Sequence, residues 1–205
     1  IVKEDKLKHT LKLNGIYKQI WELAQPFLNT RKNDIHTAIS TAFAFRLLEM
    51  EGGDEDIVIP AILLHDVGWK KVPENMQLKA FGPHATEPKW NRVHEVEGGK
   101  IAGEILASID YPKDKTLEIQ EIIEGHDSRK EAVSRNDMLV KDADKLWRYS
   151  QVAVGINGNR FDLTLDQSVE RLRRKLDLWL LSESAKKIAH QEIQERMNEL
   201  AEGNL

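Results

Sequence analysis

"AILLHDVGWKK", residues 61–71, carries four apolar or small residues straight into His65 and Asp66, then into a glycine, a tryptophan and two lysines. The upstream part reads as buried helix, so the two polar groups at its end must be satisfied there or cost folding energy. Outward from this stretch, apolar residues recur at helical rather than alternating spacing almost everywhere, and Gly, Pro, Asn and Asp clusters supply the punctuation. The expectation is an all-α protein. Residues 1–205 are expected to form one compact helical bundle, with a metal-site core at about 30–150 and a long amphipathic helical segment at about 160–203.

A chain of 205 residues supports one sizeable core. Its 40% hydrophobic and 31% charged residues suit a folded, helix-rich domain. A net charge of −4 gives no broad basic field for a nucleic-acid polymer, although a local basic patch can still hold a small phosphorylated ligand. No window reaches the roughly 18–20 unbroken apolar residues of a membrane span. The charged stretch "IVKEDKLKHT" has no signal-like apolar region, which reads as a cytoplasmic protein with no membrane partner. There is no cysteine, so any metal must be held by nitrogen and oxygen.

The periodicity predicts helices at about 14–28, 33–51, 54–68, 92–109, 114–126 and 135–152, followed by one long helix or two abutting ones over 164–203. Asn33 or Asp34 would cap the second, and "EGGDED" would stop it. "KKVPENMQLKAFGPHATEPKW", residues 70–90, has three prolines and reads as a lid or binding loop carrying one helical turn. "GINGNRFD", residues 155–162, reads as a turn-rich break, and the amphipathic C-terminal stretch suits either covering the core or pairing with a second copy as a homodimer.

Each helix from the second to the sixth places a histidine or aspartate on its apolar arc. His36 sits among Ile35, Ile39 and Phe43; His65 follows Ile62 by three, with Asp66 beside it. His94 shares a face with Ile101 and Ile105, His126 follows Ile122 and Ile123 by four and three, and Asp142 lies between Leu139 and Leu146. Any one of these is most simply a core polar residue with a hydrogen-bond partner. Four imidazoles and two carboxylates in one small core would need many separate partners, whereas one or two cations satisfy them together.

The order of histidine, adjacent His-Asp, two further histidines and an aspartate within "DAD" resembles the HD-domain superfamily of metal-dependent phosphohydrolases, named for that His-Asp pair. The resemblance spans residues 36–144 through "LLHDVGW", "RVHEVEGGKIAGEIL", "IIEGHD" and "VKDADKL". It implies His36, His65, Asp66 and Asp142 as ligands of a core metal. It also implies His94 and His126 as the extra histidines of a two-metal site bridged by Asp66, with Asp66, His94 and His126 forming the catalytic set. The cofactor would be one or two divalent ions from Fe, Mn, Co, Ni, Zn or Mg. With one metal, His94 or His126 would instead contact phosphate or donate a proton.

Around this set, Lys70, Lys71 and Arg148 are candidates for binding substrate phosphate, against the alternatives of a solvated helix end and an ordinary salt-bridging arginine. Asp127 would orient an imidazole through its second nitrogen or serve as a turn residue, and Asp144 would cap, bridge or orient. His84 reads as loop surface, His9 and His190 as non-ligands, "RLRRK" at 171–175 as a solvated face, and Trp69, Trp90, Trp147 and Trp179 as core, with Trp90 also placed to stack on a base. His126 is followed by Asp127 rather than by the His and Gly-Tyr-Pro signature of relatives that cleave cyclic dinucleotides, and no nucleophile elbow or Walker-type loop is present. The resemblance implies a hydrolase that cleaves a phosphate ester or anhydride of a small molecule, a nucleotide or dinucleotide, with metal-activated water. Its rivals are a di-iron oxygenase with the same ligand pattern and a non-catalytic, metal-containing nucleotide-binding module.

Overall fold

The computed structural model describes residues 12–80 and 85–201. The expectations for His9 and His84 fall outside them. Among the described residues the chain is built of α-helices and two 3-10 turns, with no strand. The helices are α1 (Gly15–Leu28), α2 (Asn33–Glu51), α3 (Glu55–Leu64), α4 (Glu74–Gln77), α5 (Lys89–Ser108), α6 (Lys113–Ile123), α7 (Arg135–Leu146), α8 (Gln151–Phe161), α9 (Leu165–Trp179) and α10 (Glu183–Ala201); the 3-10 turns are Val67–Lys71 and Trp147–Tyr149.

The quoted stretch ends the central helix. Every residue of α3 from Ile57 to Leu64 is buried, as expected for a helix apolar on all sides, and α1, α2, α6 and α7 pack around it. Pro60 lies inside α3 and has no N–H for the carbonyl of Asp56, four residues back. The Tyr111 hydroxyl donates to that carbonyl instead, at 2.6 Å. Asp54 caps α3 by accepting from Asp56 N at 3.0 Å.

The expected helix over 54–68 stops at Leu64, and the chain continues as a 3-10 turn. Between them Asp66 adopts φ −104°, ψ 5°, the sparsely populated bridge region common at active sites. The turn runs hard against α5. A Cβ on Gly68 would lie 1.9 Å from the backbone oxygen of His94 and 2.5 Å from the nitrogen of Gly98, so glycine is required by this approach.

Other boundaries differ for local reasons. Asn33 and Asp34 do not cap α2: Lys32 holds the cap position in a left-handed conformation, and the Asn33 amide turns to Asp66 O at 3.5 Å. The helix expected over 135–152 breaks at Ser150, whose hydroxyl accepts from Ala153 N (3.2 Å) and starts α8. "GINGNRFD" is consequently not a turn-rich break but mostly helix, closed by Asp162 in the left-handed region (φ 54°). Packing of Ala153 and Val154 against the core overrides the weak helix propensity of its Gly and Asn residues. The C-terminal stretch is two helices, and α10 lays Ala185, Ile188, Ala189 and Ile193 on the core. Among the described residues no helix is long and apolar enough to cross a membrane.

Candidate metal centre

Five elements deliver polar side chains to one point inside the bundle. His36 comes from the first turn of α2, His65 and Asp66 from the end of α3, His94 from α5, His126 from just past α6, and Asp144 from the last turn of α7. All six are buried. The Nε2 atoms of His36 and His65 lie 2.8 Å apart, and Asp144 Oδ1 sits 3.2 Å from the first and 3.7 Å from the second. His94 and His126 face each other through Nε2 atoms 3.3 Å apart, with Asp127 Oδ2 at 3.7 and 3.8 Å.

Asp66 joins the two groups. Its Oδ1 is 3.8 Å from each of His65, His94 and His126 Nε2, and its Oδ2 is 3.5 Å from His36 Nε2. Three overlapping sets follow, each with ligand atoms within 4.8 Å of one another: His36, His65 and Asp144; His65, Asp66 and His126; and His94, His126 and Asp127.

The ring orientations fit divalent cations. His65 Nδ1 donates to Ile62 O (2.7 Å) and His126 Nδ1 to Ile123 O (2.8 Å), which fixes the tautomer and aims the Nε2 lone pair at the cluster when the ring is neutral. Trp69 stacks on His94 (4.2 Å between centroids, 13° between planes) and donates its Nε1–H to Asp66 Oδ1 at 3.0 Å. Arg31, from a turn where it and Lys32 both have positive φ, covers the other face of Trp69 at 3.8 Å. Trp147 meets His36 edge-on at 4.6 Å.

The sequence reading placed Asp142 among the ligands, and the structure corrects it. Asp142 points to the opposite side of α7, where its carboxylate accepts from Leu181 N (2.7 Å) and Ser182 N (2.9 Å) at the start of α10. Burial pushes its pKa up despite those bonds. Asp144 stands in the cluster instead of beside it. Asp127 is corrected too, because it approaches the Nε2 side of the two imidazoles, not their second nitrogens. Lys70 and Lys71 do not reach the site: the 3-10 turn carries both into solvent, and Lys70 donates to Asn29 Oδ1 at 2.7 Å. Arg148 lines the adjoining cavity and donates to Asp144 O at 3.1 Å. Trp90 packs beside Trp69 and Val72, away from that cavity, and His190 lies on α10 outside the cluster.

Three residues escaped sequence reasoning. Lys145 bridges Asp127 and Asp144 as an ion pair to both. Glu95 accepts from Asp127 N (2.9 Å) and Ser128 N (2.8 Å), while Lys141 donates to the carbonyls of Gly125, His126 and Arg129. The loop carrying His126 is thus held by its N–H groups on one side and its carbonyls on the other. The one available signal was charge on a buried arc: Glu95 is fully buried and Lys141 nearly so, which charged residues tolerate only when paired.

Charge is unevenly distributed among these groups. Burial works against a charged His65, but Asp66 and Asp144 outweigh it and raise its pKa to about 9. Burial lowers His36, and burial with His126 alongside lowers His94 to about 4. Burial alone would raise Asp66, yet His65, His36 and His94 bring it down to about 2. Burial likewise opposes ionised Asp144 and Asp127, and Lys145 leads the groups that hold both well below the ordinary carboxylate range.

The family model described as the HD domain matches residues 33–148. The chain belongs to the HD-domain family. The matched span contains the whole cluster, and the fold is the all-α HD bundle. Membership places the chain in a superfamily of metal-dependent hydrolases that bind divalent metal through histidine and aspartate. Comparisons with curated proteins and with solved structures give no match.

A consequence for metal loading follows from His65. Asp66 and Asp144 favour the protonated ring, which stabilises the fold fully below the unperturbed value of 6.5 and progressively less as pH rises through about 9. A metal at Nε2 must displace that proton. Metal binding at neutral pH is therefore expected to release about one proton on this account, and apparent affinity to rise roughly tenfold per pH unit until pH passes the His65 value. Calorimetric titration with Mn or Zn in buffers of different ionisation enthalpy measures this; heats independent of buffer would contradict it.

Proposed function

We propose that this HD domain hydrolyses a phosphate ester or anhydride of a small molecule of the nucleotide class. The observation that carries the reading is the cavity onto which the cluster opens. Its volume is about 580 Å³, within the usual range for small-molecule sites. Eight lysine and arginine side chains line it against three carboxylates, Asp66, Asp127 and Asp144, and those three already face the histidines. An anionic ligand with an organic body matches that lining, which also includes Trp147, Phe161 and Trp179.

His36, His65, Asp66 and Asp144 would hold one cation, and His94, His126 and Asp127 with Asp66 a second. Divalent ions there supply an acidified water and a counter-charge for phosphoryl oxygens. Lys145 is held in its charged form: burial opposes this, but Asp127 and Asp144 raise its pKa. It therefore acts as a fixed positive charge beside the reacting group. Arg148, 3.8 Å from Asp144 Oδ1, lines the cavity next to this charge.

The test is inorganic phosphate release from a panel of nucleoside phosphates and simple phosphoesters, with oxygen uptake followed in parallel on the iron-loaded protein. Expected is phosphate release that stops on chelation and returns with added Mn, Co or Fe. A metal-replete protein that releases no phosphate and consumes oxygen would transfer the site to oxidative chemistry.

A further inference from the structure

The geometry points to a second anion-binding subsite in the same cavity: Arg148, Arg160 and Arg171 hold a phosphate or carboxylate that the substrate carries apart from the group placed at the histidine cluster. The favoured substrate is thus anionic at both ends, with an organic body between. This rests on the proposed phosphohydrolase reading and adds where the rest of the substrate goes.

Three consecutive elements each contribute one guanidinium to this wall: the 3-10 turn after α7 gives Arg148, α8 gives Arg160 and α9 gives Arg171. Each of the three is held differently. Arg148 lies 3.8 Å from Asp144 Oδ1 at the cluster, and its guanidinium reaches out over Trp179 at 5.4 Å. Arg160 is steered by donating to Arg31 O at 3.2 Å. Arg171 is partly buried and has no carboxylate partner among the described residues. Burial and then the charge of Arg148 lower its pKa, and no cluster carboxylate figures among the groups acting on it.

For Arg171 this placement is unfavourable unless something offsets it. Like charges gathered in a partly desolvated cavity repel, and the cost is greater when water is excluded. The chain as a whole carries net negative charge, so composition alone does not put these cations together. Guanidinium forks match phosphate and carboxylate oxygens in pairs. The same cavity is lined by Trp147, Phe161, Leu172 and Trp179, which suit a base or an aliphatic body.

The experiment compares substrates that share a body and differ in the second anion: adenosine 5′-monophosphate with adenosine 3′,5′-bisphosphate, and hexyl phosphate with 1,6-hexanediol bisphosphate and 6-phosphonooxyhexanoate. Each is assayed on the metal-loaded protein and on Arg171→Gln. Among the described residues the Arg171 side chain makes no ion pair, and circular dichroism checks that the variant is folded. Expected is a kcat/KM at least tenfold higher for the doubly anionic member of each pair, carried by KM, with that preference falling about tenfold in Arg171→Gln. The carboxylate compound tells whether the second group must be phosphate. Equal kcat/KM within the pairs, or a preference unchanged in the variant, would overturn the subsite. If no compound is hydrolysed, the phosphohydrolase reading fails separately. Calorimetric binding of 1,6-hexanediol bisphosphate to wild type and Arg171→Gln then decides the subsite alone: it stands if binding weakens about tenfold and falls if binding is equal or absent.

Discussion

Asp144→Ala protein is expected to fold and to lose its metal, whereas Asp142→Ala protein is expected to keep its metal and lose stability. Asp144 Oδ1 lies 3.2 Å from His36 Nε2 and belongs to a cation-sized group with His36 and His65. Its removal should weaken metal binding at least about 100-fold, beyond the 10- to 100-fold typical of losing a group that merely orients a ligand. Asp142 instead satisfies two backbone N–H groups that would otherwise start α10 without acceptors. Losing a cap and leaving buried donors unpaired together cost about 2–4 kcal/mol. Elemental analysis after exhaustive dialysis, run beside thermal denaturation of the metal-free proteins, separates the two. Metal lost in Asp142→Ala and retained in Asp144→Ala would restore the assignment made from sequence.

Gly68→Ala is expected to be the most disruptive glycine-to-alanine change among the described residues. The added carbon would meet backbone atoms of His94 and Gly98, not a flexible side chain, so the 3-10 turn and α5 must separate. Overpacking of this kind costs typically 1–3 kcal/mol and more where backbone must move. A loss of about 3 kcal/mol lowers the melting temperature of a chain this long by roughly 6–12 °C. Because the turn begins at Asp66 and α5 carries His94, metal affinity should fall in the same variant. Melting curves recorded with and without Mn test both effects, and a variant with wild-type melting and metal content would contradict this account.

Helical periodicity made most of the cluster legible. His36 and His94 sit on the apolar arcs of their own helices, and His65, Asp66 and His126 follow a helix end within three residues, close enough for the preceding spacing to show which way they face. Asp142 and Asp144 defeated the same arithmetic because α7 is buried on both sides: Leu139, Val140, Ala143 and Leu146 are all inaccessible. What claims Asp142 is a segment 39 and 40 residues later in the chain, which no local pattern reveals. Asp127 lies beyond the end of α6, where periodicity has stopped. Lys70 and Lys71 were misplaced because the change from α-helix to 3-10 turn at Asp66 rotates everything after it. Arg171 was read with the rest of "RLRRK" as solvated, but the amphipathic helix turns this one residue to the cavity while Arg173 and Arg174 stay exposed.

The Asp142 carboxylate also separates two kinds of boundary. A fragment ending at residue 148 would retain every histidine of the cluster with Asp66, Asp127 and Asp144, and so would contain the recognisable motif. It would strand a buried carboxylate whose acceptors are already committed to Leu181 and Ser182, and would discard the cavity wall formed by α8 and α9. One helix therefore serves as a strut of the histidine cluster on one side and as the anchor of the C-terminal pair on the other. The segment that looks dispensable by motif is part of what keeps the motif assembled.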